Sequence, residues 1–182
     1  MTRIDKFGPL VAMVIASASA VSIARAQQSI QKAHTDIGAG VEKILPGGFK
    51  MESRPIEFSQ ERIDLTLAYR RIHQDPHAKD ILIRPKMIIL HWTGINSLDS
   101  TWNYFNRTRT EAARSQLAAA GEVNVSAHFL VDRDGTVFRL MPETWMARHC
   151  IGLNQVAIGI ENIGDGEKFP LTDAQAKANA AL

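Results

Sequence analysis

Three apolar runs each deliver one reactive side chain. Met87-Ile88-Ile89-Leu90 leads into His91, His128 lies within Val125-Ser126-Ala127-His128-Phe129-Leu130-Val131, and Ala157-Ile158-Gly159-Ile160 leads into Glu161. Neutral imidazole is the commonest protein ligand for metals and also exchanges protons near neutrality. A carboxylate works as a general base when its surroundings bring its pKa close to the working pH. Such a set can hold a metal and move a proton.

Side chains alternate along a strand, so His91 shares a face with Met87 and Ile89. It ends its run, where chemistry on open sheets concentrates. Taken alone, a His at a strand end is more often structural than a ligand. Glu161 is more pointed. Ala157, Gly159 and Glu161 face one way, Ile158 and Ile160 the other. A buried carboxylate must find a cation, hydrogen bonds or a raised pKa, and the small residues beside it leave room for a ligand or water. Two outcomes stand at this level: a reactive carboxyl, or an ion pair with Arg139 or Arg148.

His128 reads as an interior His satisfied by hydrogen bonds. His149 falls in a loop, where binding residues concentrate, and reads as a substrate contact. Its neighbour Cys150, the only cysteine, reads as a small buried apolar residue. Trp92 beside His91 and Trp145 near His149 are candidates for a groove. Trp102, Tyr104 and Phe105 read as core. His34, His73 and His77 read as solvent-facing.

These positions need a scaffold. Residues 59–74 carry Ile63, Leu67 and Ile72 near helical spacing and run into Asp75-Pro76, which predicts a helix ending there. Residues 87–90 predict a buried strand, and a helix is expected from about Ser100 into Ala118-Ala119-Ala120, closed by Gly121. Residues 126–132 and 136–141 predict a hairpin about Asp134-Gly135. A third strand spans 156–163. Thr172-Asp173-Ala174-Gln175 is a capping box that starts a last helix. Interleaved strands and helices with one hairpin predict an α/β fold, a mixed central sheet flanked by helices.

Residues 1–26 read as a secretory signal: Arg3 and Lys6, a short apolar stretch from Leu10, then Ala24-Arg25-Ala26 before Gln27. Residues 27–55 read as an extension or linker, and 56–182 as the domain. The chain carries 21 Lys and Arg against 19 Asp and Glu. Three of those basic residues lie in the signal, so the mature chain is near neutral. That argues against nucleic acid as a partner. The apolar stretch is short for a bilayer span, so no stable membrane insertion is expected after cleavage. Export with a lone cysteine suits a bacterial periplasmic or secreted protein without an internal disulfide.

Taken together, Ile89-Leu90-His91-Trp92-Thr93-Gly94, residues 124–135, Ala147-Arg148-His149 and Ala157-Ile158-Gly159-Ile160-Glu161-Asn162 resemble the zinc-dependent N-acetylmuramoyl-L-alanine amidases, the class that includes peptidoglycan recognition proteins. The resemblance covers about residues 86–182. It implies hydrolysis of the amide joining N-acetylmuramic acid to L-alanine, with peptidoglycan or muropeptide fragments as partners. It implies zinc as cofactor with His91 as a ligand, and Glu161 as the residue that activates water. It places His149 and Asn154 along the substrate groove. Some relatives have a catalytic Tyr where this chain has Ala127. The family's other two zinc ligands, a His in a Gly-His motif and an Asp or Cys, have no counterpart before Leu182. The expectation is therefore a C-terminally truncated form that binds zinc poorly and turns over little. The alternative is a non-catalytic peptidoglycan-binding module.

Overall fold

A computed structural model describes residues 43–182. The signal and residues 27–42 lie outside the described residues. Six strands form one mixed sheet: β1 (Lys43–Ile44), β2 (Lys50–Ser53), β3 (Met87–Trp92), β4 (Phe129–Val131), β5 (Val137–Arg139) and β6 (Ala157–Asn162), in the order β1-β2-β5-β4-β6-β3. β4 and β5 are the expected antiparallel hairpin, with Leu130 opposite Phe138. Its turn closes where Gly135 N–H donates to the Asp132 carbonyl at 2.9 Å. β6 is parallel to both neighbours, β4 and β3. Four helices complete the domain: α1 (Gln60–His73), α2 (Leu98–Asn106), α3 (Ser115–Ala119) and α4 (Asp173–Ala181). The α/β class with a mixed sheet and flanking helices is the one observed.

The caps follow local chemistry. Ser59 Oγ accepts the Arg62 N–H at the start of α1. Thr172 and Gln175 satisfy each other's backbone donors at the start of α4, a complete capping box. The main core lies between the sheet and α4, where Leu45, Phe129, Val131, Val137 and Ile160 surround Ala178. Burying one such aliphatic side chain stabilises the fold by about 1.5–3 kcal/mol. A second cluster gathers Ile83, Val123 and Met146 around Tyr69 of α1. No helix among the described residues is long and apolar enough to cross a membrane.

Four local expectations are corrected. Residues 43–53, read as part of an extension, supply β1 and β2, and β2 pairs in parallel with β5. The helix expected over 100–120 breaks after Asn106. Its last carbonyls are taken by distant side chains: Asn124 Nδ2 donates to Tyr104 O, and Arg62 Nη2 to Phe105 O and Arg107 O. The chain then runs irregularly to α3. The strand at 87–90 is not buried. Among the described residues β3 pairs with β6 alone, and Ile88, Leu90 and Trp92 are 53, 55 and 64% exposed. Of the three aromatics on α2 only Phe105 is buried; Trp102 and Tyr104 are half-buried.

Candidate active site

β3 and β6 run side by side with Met87 opposite Ala157, Ile89 opposite Gly159 and His91 opposite Glu161. Directly opposed residues on neighbouring strands point to one face. The His91 imidazole and the Glu161 carboxyl therefore project together near the carboxyl ends of two parallel strands. Leu130 of β4 is the other neighbour of Glu161.

Neither candidate arginine pairs with Glu161. Arg139 donates to both carboxylate oxygens of Glu143, at 2.8 and 2.5 Å. Arg148 donates to backbone carbonyls. Glu161 Oε2 is buried without a hydrogen-bond partner. Burial pushes its pKa up to about 7. Of the two outcomes open from sequence, the carboxyl with a raised pKa is the one found. Such a group gains and loses a proton near neutrality.

His149 completes the cluster from a loop. Asn154 Oδ1 accepts the backbone N–H of both His149 and Cys150, at 2.9 and 2.7 Å. The ring lies against Gly159, which has no side chain to displace it. Its Nε2 faces the Ala157 carbonyl at 3.3 Å. A carbonyl only accepts, so Nε2 holds the proton and Nδ1 presents a lone pair. That lone pair meets His91 Nε2 at 3.1 Å. Burial lowers the pKa of His149 to about 4 and also lowers that of His91. A neutral pair follows, with His91 donating to His149.

The remaining residues separate into those near this cluster and those elsewhere. His128 is wholly buried, with Nε2–H donating to Trp145 O at 2.9 Å and Nδ1 accepting Gly159 N–H at 3.0 Å. It is an interior His, and desolvation lowers its pKa to about 4. Asn154 is fully buried and faces backbone. It shapes the His149 loop and does not line a groove. Trp92 alternates to the face opposite His91, and its indole packs on Gly166. Trp145 is 1% exposed and packs edge-on against Phe58, so it belongs to the core. Cys150 is half-buried beside a cleft of about 650 Å³. His73 is not free in solvent: its Nε2 contacts Ala120 O at 2.5 Å. His34 lies outside the described residues.

Catalytic zinc takes three protein ligands and keeps one position for water. Among the described residues no group of three or more His, Cys, Asp or Glu side chains is assembled to hold a metal ion. His91 offers one nitrogen and has one imidazole beside it. The described residues do not by themselves fit a catalytic zinc site.

Residues 82–182 match the model of the family Amidase_2, N-acetylmuramoyl-L-alanine amidase. The chain belongs to this family. The match spans β3, β4, β5, β6 and α4, and with them every member of the imidazole–carboxyl cluster. No curated protein matches the chain significantly. Among solved structures, this amidase-family domain is similar to the endolysin amidase LysCS from Clostridium intestinale URNW, at 26% identity and TM-score 0.40, covering 55% of this chain and 59% of that one. It is similar to the amidase LysC from the same organism at 20% identity and TM-score 0.43, covering 70% and 68%. It is also similar to the peptidoglycan recognition protein PGRP-SA of Apis mellifera at 19% identity and TM-score 0.40, covering 57% and 66%.

Two features of the domain escaped sequence reasoning. Gly159 was noted only as small, although its missing side chain seats His149. From sequence, Arg148 stands as an ion-pair candidate and as part of the Ala147-Arg148-His149 block, with no positioning role. Its position directly before His149 was the one available signal of another role.

Proposed function

We propose that this domain hydrolyses the amide between the lactyl carbonyl of N-acetylmuramic acid and the nitrogen of L-alanine in peptidoglycan or muropeptides. The observation that carries the reading is the opposition of His91 and Glu161 on one sheet face, with Glu161 Oε2 buried and, among the described residues, without a hydrogen-bond partner. The family supplies the bond. In the proposed reaction the Glu161 carboxylate takes a proton from water as the oxygen adds to the lactyl carbonyl. The carboxyl then returns that proton to the departing alanine nitrogen, and the C–N bond breaks. The products are a lactyl carboxylic acid and a free amine. Hydrogen-bond reach and a pKa near 7 are what such a base requires.

Zinc is the proposed cofactor, with His91 as one ligand. When bound it would supply Lewis-acid polarisation of the carbonyl or of the water. An exported, periplasmic or secreted location accords with the substrate. The test is incubation of the purified chain with muropeptides, with and without added zinc. Mass spectrometry should find the lactyl acid and a peptide with free N-terminal alanine, and E161Q should slow the appearance of both by about a hundredfold or more. Intact muropeptides under every condition would overturn the reading.

A second reading is favoured by the incomplete ligand set among the described residues: a module that binds muropeptide and leaves it intact. It requires saturable binding with no bond cleavage in the same assay.

A further inference from the structure

The cleft beside His149 is lined on one side by residues 113–117 and 120, part of a wall segment, 110–123, that includes α3. α3 buries no residue. With Leu117 and Ala118 only partly buried, apolar packing holds that short helix to the body weakly. Arg109 bridges Glu122 of the wall and Glu61 of α1, but these are exposed ion pairs, which contribute little.

Arg148 does more. It is 5% exposed and, among the described residues, hydrogen-bonds to no carboxylate. Its Nη2 donates to Leu117 O at 2.6 Å, and its Nη1 to Val123 O at 2.5 Å and Gly121 O at 2.9 Å, with Thr110 Oγ1 at 3.3 Å. The guanidinium carbon stands 4.6 Å from the centre of the Tyr69 ring, a cation–π contact from α1. Gly121 closes against that ring from the wall, where a Cβ would stand 2.8 Å from Tyr69 Cδ2. One buried fork thus gathers four oxygens from residues 110, 117, 121 and 123. The next residue along the chain is His149.

We propose that Arg148 is the positioning residue of this cleft, holding the 110–123 wall at a set separation from His149 so that a glycopeptide meets a preformed groove. The inference rests on the reading of His149 and Glu161 as the hydrolytic centre. Lys cannot substitute, since one ammonium nitrogen does not span acceptors that a planar fork reaches from two.

The test uses R148K in the full chain. Amide hydrogen exchange in the free protein reads the clamp. Exchange within 110–123 should accelerate by about tenfold or more, with the β4 and β6 amides unchanged. Turnover and binding of N-acetylmuramoyl-L-alanyl-D-isoglutamine read the groove. KM or Kd should rise by about tenfold, with kcat altered by less than about threefold. Unchanged exchange in the wall would overturn the clamp. Faster exchange with unchanged KM and Kd would reduce Arg148 to a structural residue and overturn its positioning role. If R148K does not fold, Y69L, which removes the ring beneath the guanidinium and keeps its oxygens, decides by the same two readouts in the same directions. Should the wild-type chain neither bind nor cut this probe, the functional reading fails, and exchange alone still decides the clamp.

Discussion

His149 rests directly on the backbone of Gly159: a Cβ built there would lie 2.6 Å from His149 Cγ. Real side chains do not tolerate that approach, so the imidazole can occupy this place only because position 159 is Gly. G159A should push the ring out of contact with His91 and cost about 1–3 kcal/mol of stability, as overpacking does. Two measurements check it: the chemical-denaturation midpoint, and the His91 and His149 ring signals in NMR spectra. Wild-type ring shifts in the mutant would contradict it.

Glu161 must be ionised to accept a proton from water. With its pKa near 7, kcat/KM should rise as pH climbs through about 7 and level off above. E161Q should lower kcat by about 10²–10⁴ and lose that limb of the profile. The stability effect runs the other way. A carboxyl whose folded pKa exceeds its unfolded value of 4.5 contributes stability below that value and loses it as pH rises through about 7. E161Q should therefore gain on the wild type between pH 5 and pH 8 in urea denaturation. A constant difference across that range would count against the raised pKa.

His128 makes a pH prediction of opposite sign. Its folded pKa of about 4 lies below the ordinary 6.5, so the unfolded chain binds the proton more readily. Stability should fall as pH drops from 6.5 toward 4. The ring signal of His128 should hold its neutral position well below pH 6.5 and move only as pH nears 4. Titration of His128 near 6.5 in the folded protein would refute the burial argument.

Asn154 carries two backbone donors on one oxygen. N154A leaves the N–H groups of His149 and Cys150 without that acceptor, at a cost of about 1–3 kcal/mol for buried donors. The loop over 149–154 should exchange its amides faster, and activity should fall because His149 is released. N154D keeps an acceptor oxygen and should retain more of the fold. Equal behaviour of the two variants would show that the acceptor is not what matters.

Much of this protein was legible in the chain by itself. Alternation in 157–162 told which side Glu161 takes, because strand periodicity is a local property. The capping box at Thr172 and the Asp134-Gly135 turn rest on hydrogen bonds within a few residues, and both formed where read. His128 was recognisable as an interior His from its apolar surroundings.

The tertiary structure decided what depends on residues far apart in sequence. Whether His91 and Glu161 meet is a question of strand order and register, and the pairing of β3 with β6 spans a separation that periodicity does not report. The same pairing left β3 at an edge, so a run that reads as core is exposed. The break after Asn106 arises because Arg62 and Asn124 take the helix's final carbonyls. The role of Arg148 arises from four oxygens that only folding brings to one guanidinium. Local chemistry chose the reactive groups; long-range packing chose their neighbours, and a neighbour's charge and burial are what set a carboxyl's pKa.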